Sequence, residues 1–170
     1  LSVIPSSLLL TLALALWSLP MSSSAQEQVL RDRWVEVRTA NFQVFSQRSM
    51  RQTDRFATEL EIWRQAAAFT ISGGDFPQAN VTNLIFLFDD EATLQAFAAT
   101  NDSAFFASTP RANYLALAFD EESSISSGFH HYVHFLVRSF SDLRLPRWYE
   151  EGLAGYIARM QVDGGGVEFD

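Results

Sequence analysis

Phe129-His130-His131-Tyr132-Val133-His134-Phe135-Leu136, followed a short connection later by Pro146-Arg147-Trp148-Tyr149-Glu150-Glu151-Gly152-Leu153-Ala154, decides how this chain folds. All 3 His of the sequence fall in the first of these stretches. Phe129, Val133, Leu136 and Phe140 recur at helical spacing and predict a core-facing stripe, which leaves His130 and His134 together on an adjoining face. Residues four apart on a helix are one turn apart, with Cβ atoms roughly 6 Å from each other. A helical His-x-x-x-His pair is therefore a ready means of presenting two imidazoles to one zinc ion. In the catalytic form of this motif, H-E-x-x-H, the Glu is the general base. Here His131 stands in that position.

The second stretch predicts a helix from Arg147 to Met160 with two stripes. Tyr149, Leu153, Tyr156, Ile157 and Met160 are large, whereas Ala154, Gly155 and Ala158 are small and continue from Glu151. A stripe of small residues lets a neighbouring helix come close, and Glu151 at its head is placed to reach the His pair. Trp148, Tyr149 and Tyr156 read as core residues and Glu150 as a solvated surface acid. Singly, these features are ordinary: a His on an apolar face is usually a satisfied core residue, and Arg147, one turn before Glu151, could pair with it. Their conjunction points to a metal site made of His130, His134 and Glu151.

Upstream, Trp34 to Val37 and Phe42 to Phe45 alternate as two short strands about a Thr39-Ala40-Asn41 turn. Ser49 can cap a helix running to about Thr70, with Phe56, Leu60, Trp63 and Ala67 on one face and Gly73, Gly74 and Pro77 as its stop. Val81 to Phe88 is an apolar strand, after which Asp89 or Asp90 caps a short helix through Phe97. A polar loop and Pro110 precede another strand around Tyr114 to Phe119. The acidic Asp120-Glu121-Glu122 segment then suits the positive end of the His-bearing helix. The predicted class is α+β: a small mixed sheet, a helix carrying H-x-x-x-H and a following helix carrying Glu151.

Composition narrows the chemistry. With 48% hydrophobic residues and 15 Phe among 170 positions, the chain can bury a sizeable core. Its formal net charge is -8, every one of its 12 basic residues is Arg, and they form no cluster, which argues against nucleic acid as a partner. With 0 Cys there are no disulfides, thiolate ligands or Cys nucleophile, so any metal must be held by imidazole and carboxylate.

The first 25 residues differ in character. Leu8 to Leu19 is an apolar run of about a dozen residues, followed by Pro20, a Ser cluster and Ser23-Ser24-Ala25, the pattern of a signal peptide with Gln26 as the mature start. No Lys or Arg precedes the run, and the sequence opens on Leu1. The run is shorter than the roughly 20 residues a membrane span needs. The expectation is residues 1–25 as signal peptide and 26–170 as one domain, exported to the periplasm or secreted, without a membrane span once the signal is removed.

His130-x-x-x-His134 followed by Pro146-x-Trp148-x-x-Glu151-Gly152-Leu153-Ala154 resembles the gluzincin zinc metallopeptidases, and most of all the peptidase MA-like domains of exported bacterial proteins. The resemblance runs from about Trp34 onward and is most specific in the Pro-x-Trp-x-x-Glu-Gly-Leu-Ala segment. It implies a zincin-like domain whose active-site helix carries H-x-x-x-H and whose following helix carries the third ligand, with zinc as cofactor, His130 and His134 as imidazole ligands, Glu151 as third ligand, and a peptide or protein substrate cleaved by metal-activated water. It also implies that Tyr114 to Phe119 runs beside the substrate backbone. Where relatives carry acids, this chain has His131 and Gly155. His131 would have to act as the catalytic base. The alternative is a non-catalytic metal-binding or peptide-binding scaffold derived from a peptidase. The sequence ends at Gly164-Gly165-Gly166-Val167-Glu168-Phe169-Asp170, a turn entering a strand, and relatives of this group often continue into further helical or repeat segments, so the expectation includes a longer chain.

Overall fold

The computed structural model describes residues 33–74, 76, 81–98, 102–119, 122–140, 145–163 and 166–169. The leader expected over residues 1–25, and Asp120 and Glu121, lie outside these. The chain is α+β, as predicted. Strands β1 (Val35–Arg38) and β2 (Phe42–Ser46) form a hairpin, and helix α1 (Met50–Ser72) crosses to β3 (Thr82–Phe88). Helix α2 (Glu91–Ala98), strands β4 (Ala104–Ser108) and β5 (Ala112–Ala118), and helices α3 (Glu122–Phe140) and α4 (Arg147–Ala158) follow. A second hairpin, β6 (Met160–Asp163) and β7 (Gly166–Phe169), completes the described elements.

The five main strands form a mixed sheet in the order β1-β2-β3-β5-β4. β2, β3 and β5 run parallel, and the outer strands β1 and β4 are antiparallel to their neighbours. Side chains of β3 divide by the pleat. Ile85 and Leu87 face the layer of α1, α3 and α4, while Leu84, Phe86 and Phe88 face α2 and Trp34. Within β5, Leu115 and Leu117 take the first side, and Ala112, Ala116 and Ala118 the second.

Two sequence expectations change here. The stretch read as a polar loop before Pro110 contains β4, which the chain forms by pairing Ala104–Ser108 with β5. Tyr114 to Phe119 consequently cannot lie beside a substrate backbone: β5 is bonded to β3 on one side and β4 on the other, so its edge is taken. The border strand on this side of the sheet is β4, and β1 forms the other border.

Helix α1 begins as predicted at Ser49, whose hydroxyl accepts from the Gln52 N–H while the Gln52 side chain accepts from the Ser49 N–H. It ends at Gly73, in the left-handed region at φ +72°, whose N–H bonds to Phe69 O at 2.8 Å. Trp63 is the hub between α1 and the later helices. Its ring centre lies 4.4 Å from that of Phe129, and its indole N–H donates to Ile157 O at 3.3 Å. No described helix is long and apolar enough to cross a membrane.

Candidate metal centre

Helix α3 buries Ser124, Gly128, Phe129, Tyr132, Val133, Leu136 and Val137, a stripe at intervals of three and four. Phe129, Val133 and Leu136 are core as predicted, with Tyr132 added to them. Ser124 fixes the start of the helix: its hydroxyl accepts from the Ala118 N–H at 2.8 Å and donates to Ser103 O, tying α3 to the end of β5 and the approach to β4. Gly128 lets the helix lie close to the sheet. A Cβ there would overlap Leu117 Cδ2 and stand 3.1 Å from Leu115 Cδ1. With the core face so held, the adjoining face turns His130 and His134 toward α4.

Helix α4 packs against α3. Ala154 and Ile157 are fully buried and Ala158 nearly so. The aromatic residues read as core lie outside: Trp148 is 75% exposed, Tyr149 46% and Tyr156 52%. The buried face takes Ala154 and Ala158 from the small stripe and Ile157 from the large one, and Tyr149 and Tyr156 fall on the other side of the helix. Gly155 is not part of that contact, since a Cβ added to it meets nothing within 4 Å. The helix also stops earlier than expected, with Met160 the first residue of β6.

The packing brings the three predicted ligands together. His130 Nε2 lies 3.1 Å from Glu151 Oε2, His134 Nε2 lies 3.3 Å from the same oxygen, and the two ring nitrogens are 3.2 Å apart. Among the described residues, His130, His134 and Glu151 are the group of His, Cys, Asp and Glu side chains that could hold a metal ion. Their chemistry agrees with their geometry. Two imidazole nitrogens and a carboxylate oxygen converge within hydrogen-bond distance of one another, and a cation that displaced the shared protons could take a lone pair from each. Arg147, the rival partner considered for Glu151, reaches only the other oxygen, Oε1, at 3.9 Å. Desolvation opposes ionisation of Glu151, but the hydrogen bond with His130 and the charges of His134 and His130 outweigh it, so the carboxyl titrates below its ordinary range.

Glu150 is not a solvated surface acid. Its Oε1 accepts from His134 Nδ1 at 2.8 Å and from Arg138 Nε at 2.9 Å, and its side chain is 15% exposed beside 13% for His134. Arg138 lies four residues after His134, so the i,i+4 spacing on α3 was the available signal for this pair. His131 projects beside the triad on the exposed side of the helix. Desolvation first, then repulsion from His130 and His134, hold its imidazole below the ordinary range, against weaker attraction from Asp102 and Glu151.

The triad opens into a cleft of about 550 Å³. One wall is β4, through Phe106 and Ser108; the other is α3, through His131, Phe135 and Arg138. Phe106 packs against Phe135 with ring centres 6.1 Å apart, so the floor between strand and helix is apolar. No protein-family model and no curated protein matches this chain.

Proposed function

We propose that this is a zinc-binding, metallopeptidase-like domain of the gluzincin type, exported from the cell, with its centre at His130, His134 and Glu151. The single observation that carries the proposal is the triangle of ligand atoms, with sides of 3.1, 3.2 and 3.3 Å. Tetrahedral zinc with nitrogen and oxygen ligands at about 2.0–2.2 Å requires ligand atoms roughly 3.3–3.5 Å apart, so the triad needs only a few tenths of an ångström of adjustment. Three protein ligands leave a fourth position open, as in catalytic rather than structural zinc sites. Bound zinc supplies Lewis acidity, which lowers the pKa of water and polarises a carbonyl.

The chain's own residues support a peptide as the substrate class. β4 ends the sheet next to the triad, and an extended peptide can add to such an edge through backbone hydrogen bonds, its side chains falling alternately toward the cleft and away. Phe106 and Phe135 offer an apolar surface for one of those side chains. His131 occupies the base position on the cleft wall. A neutral imidazole accepts a proton, but burial and the neighbouring imidazoles make His131 a weaker base than an ordinary histidine, and general-base assistance is typically worth about 10²–10⁴-fold. Slow turnover follows.

That same observation favours a second function, a peptide-binding domain that retains the metal without hydrolysis. The two are separated by incubating the zinc-loaded protein with unfolded protein substrates between about pH 5 and 9. Cleavage abolished by a chelator and by His130→Ala supports the peptidase; zinc-dependent peptide binding with no cleavage above the His130→Ala control supports the binding domain. A chain that neither cleaves nor binds peptides in a zinc-dependent way refutes both.

A further inference from the structure

We infer that Glu150 is a positioning residue of the metal centre: its carboxylate fixes His134 in the tautomer whose Nε2 lone pair faces His130 and Glu151, and so sets the affinity of the triad for a divalent transition metal. This rests on metal binding by the triad and not on hydrolysis. A neutral imidazole carries one proton, on either nitrogen, and only the ring with its proton on Nδ1 can offer Nε2 to a metal. The geometry distinguishes the two ends of the ring. Nδ1 stands 2.8 Å from Glu150 Oε1, while Nε2 stands 3.2 Å from His130 Nε2 and 3.3 Å from Glu151 Oε2. A carboxylate can only accept, so the proton belongs on Nδ1.

Glu150 is itself held. Arg138 Nε donates to the same oxygen at 2.9 Å from the next turn of α3, so two donors on one helix grip one acceptor on another. Because the side chains of Glu150 and His134 are only 15% and 13% exposed, the bond between them is shielded from competing water. The consecutive acids of α4 therefore divide the work: Glu151 faces the ligand point, and Glu150 reaches the far side of one ligand ring. A carboxylate placed behind a ligating His orients the ring and raises its basicity, and its loss typically costs about 10–100-fold in metal affinity.

The test pairs affinity with tautomer. Zinc affinity is measured by competition with a chromogenic chelator in the wild type, Glu150→Ala and Glu150→Gln, the last retaining the shape of the side chain should the alanine variant fold poorly. In the metal-free proteins, ¹⁵N NMR of the histidine rings reports which nitrogen of His134 carries the proton. We expect about 10–100-fold weaker binding in Glu150→Ala, a smaller loss in Glu150→Gln, and a shift of the His134 proton from Nδ1 toward Nε2. A general packing defect would not produce that last change. Wild-type affinity in both variants, or an unchanged tautomer, overturns the role of Glu150 and leaves the triad standing. A wild type that binds no zinc overturns the triad itself.

Discussion

Gly128→Ala should destabilise the protein, although the same change in an exposed helix stabilises. Glycine inside a helix costs about 0.5–1 kcal/mol relative to alanine, so the substitution begins with a gain of that size. Against it stands the sheet. The new methyl would overlap Leu117 Cδ2 and approach Leu115 Cδ1 to 3.1 Å and Leu117 Cγ to 3.4 Å. Leu117 is fully buried and Leu115 almost so, leaving neither a free rotamer, and the strain must push α3 outward or displace the strand's neighbours. Overpacking of this kind costs about 1–3 kcal/mol, which leaves a net loss of about 1 kcal/mol. Gly155→Ala on α4 is the internal control, because a Cβ there meets nothing within 4 Å and the full helical gain of about 0.5–1 kcal/mol should appear. Urea unfolding monitored by tryptophan fluorescence measures both: the midpoint should fall for Gly128→Ala and rise for Gly155→Ala with unchanged slopes. A Gly128→Ala protein as stable as the wild type would refute the close seating of the His-bearing helix on β5.

His131→Glu should raise chelator-sensitive hydrolysis of unfolded protein over the wild type, by at most about 10²–10⁴-fold, the scale of full general-base assistance; an unchanged rate would mean that more than the base is missing. Acid should weaken the metal-free protein in two windows. The His131 pKa lies below its ordinary value of 6.5 in the folded state, so the unfolded chain binds that proton first, and stability intact above pH 6.5 is lost as pH falls through that value. Glu151, depressed from 4.5, adds a loss below that pH. His131→Asn should remove the first loss alone, which urea midpoints at pH 7.5, 5.5 and 4 would show on the order of those windows.

Helix α1 was legible because its signals are local: Ser49 as cap, an apolar face, and Gly73 as the stop. β3 was legible from the apolar run Leu84 to Phe88. β4 was not, because Ala104-Phe105-Phe106-Ala107-Ser108 lies between polar segments and becomes a strand only by pairing with β5, a partner several residues further on. The candidate His pair was legible from spacing, because His130 and His134 stand one turn apart on α3, and Glu151 was legible from its place at the head of the Glu-Gly-Leu-Ala segment. The surroundings of the ligands were not. Which face of α4 is buried depends on how closely α3 approaches, and that approach decides that Trp148, Tyr149 and Tyr156 are outside while Glu150 is drawn in. Adjacent acids in a sequence look alike, and only the partner helix separates a ligand from the carboxylate behind it.

The central claim, that His130, His134 and Glu151 form a metal centre, is tested most directly by elemental analysis of the purified protein after dialysis against metal-free buffer. One zinc per chain in the wild type, and none in His134→Ala of the same fold by circular dichroism, is the predicted result. Wild-type protein that holds no stoichiometric metal even after zinc is added, or a His134→Ala protein that holds as much as the wild type, would contradict it.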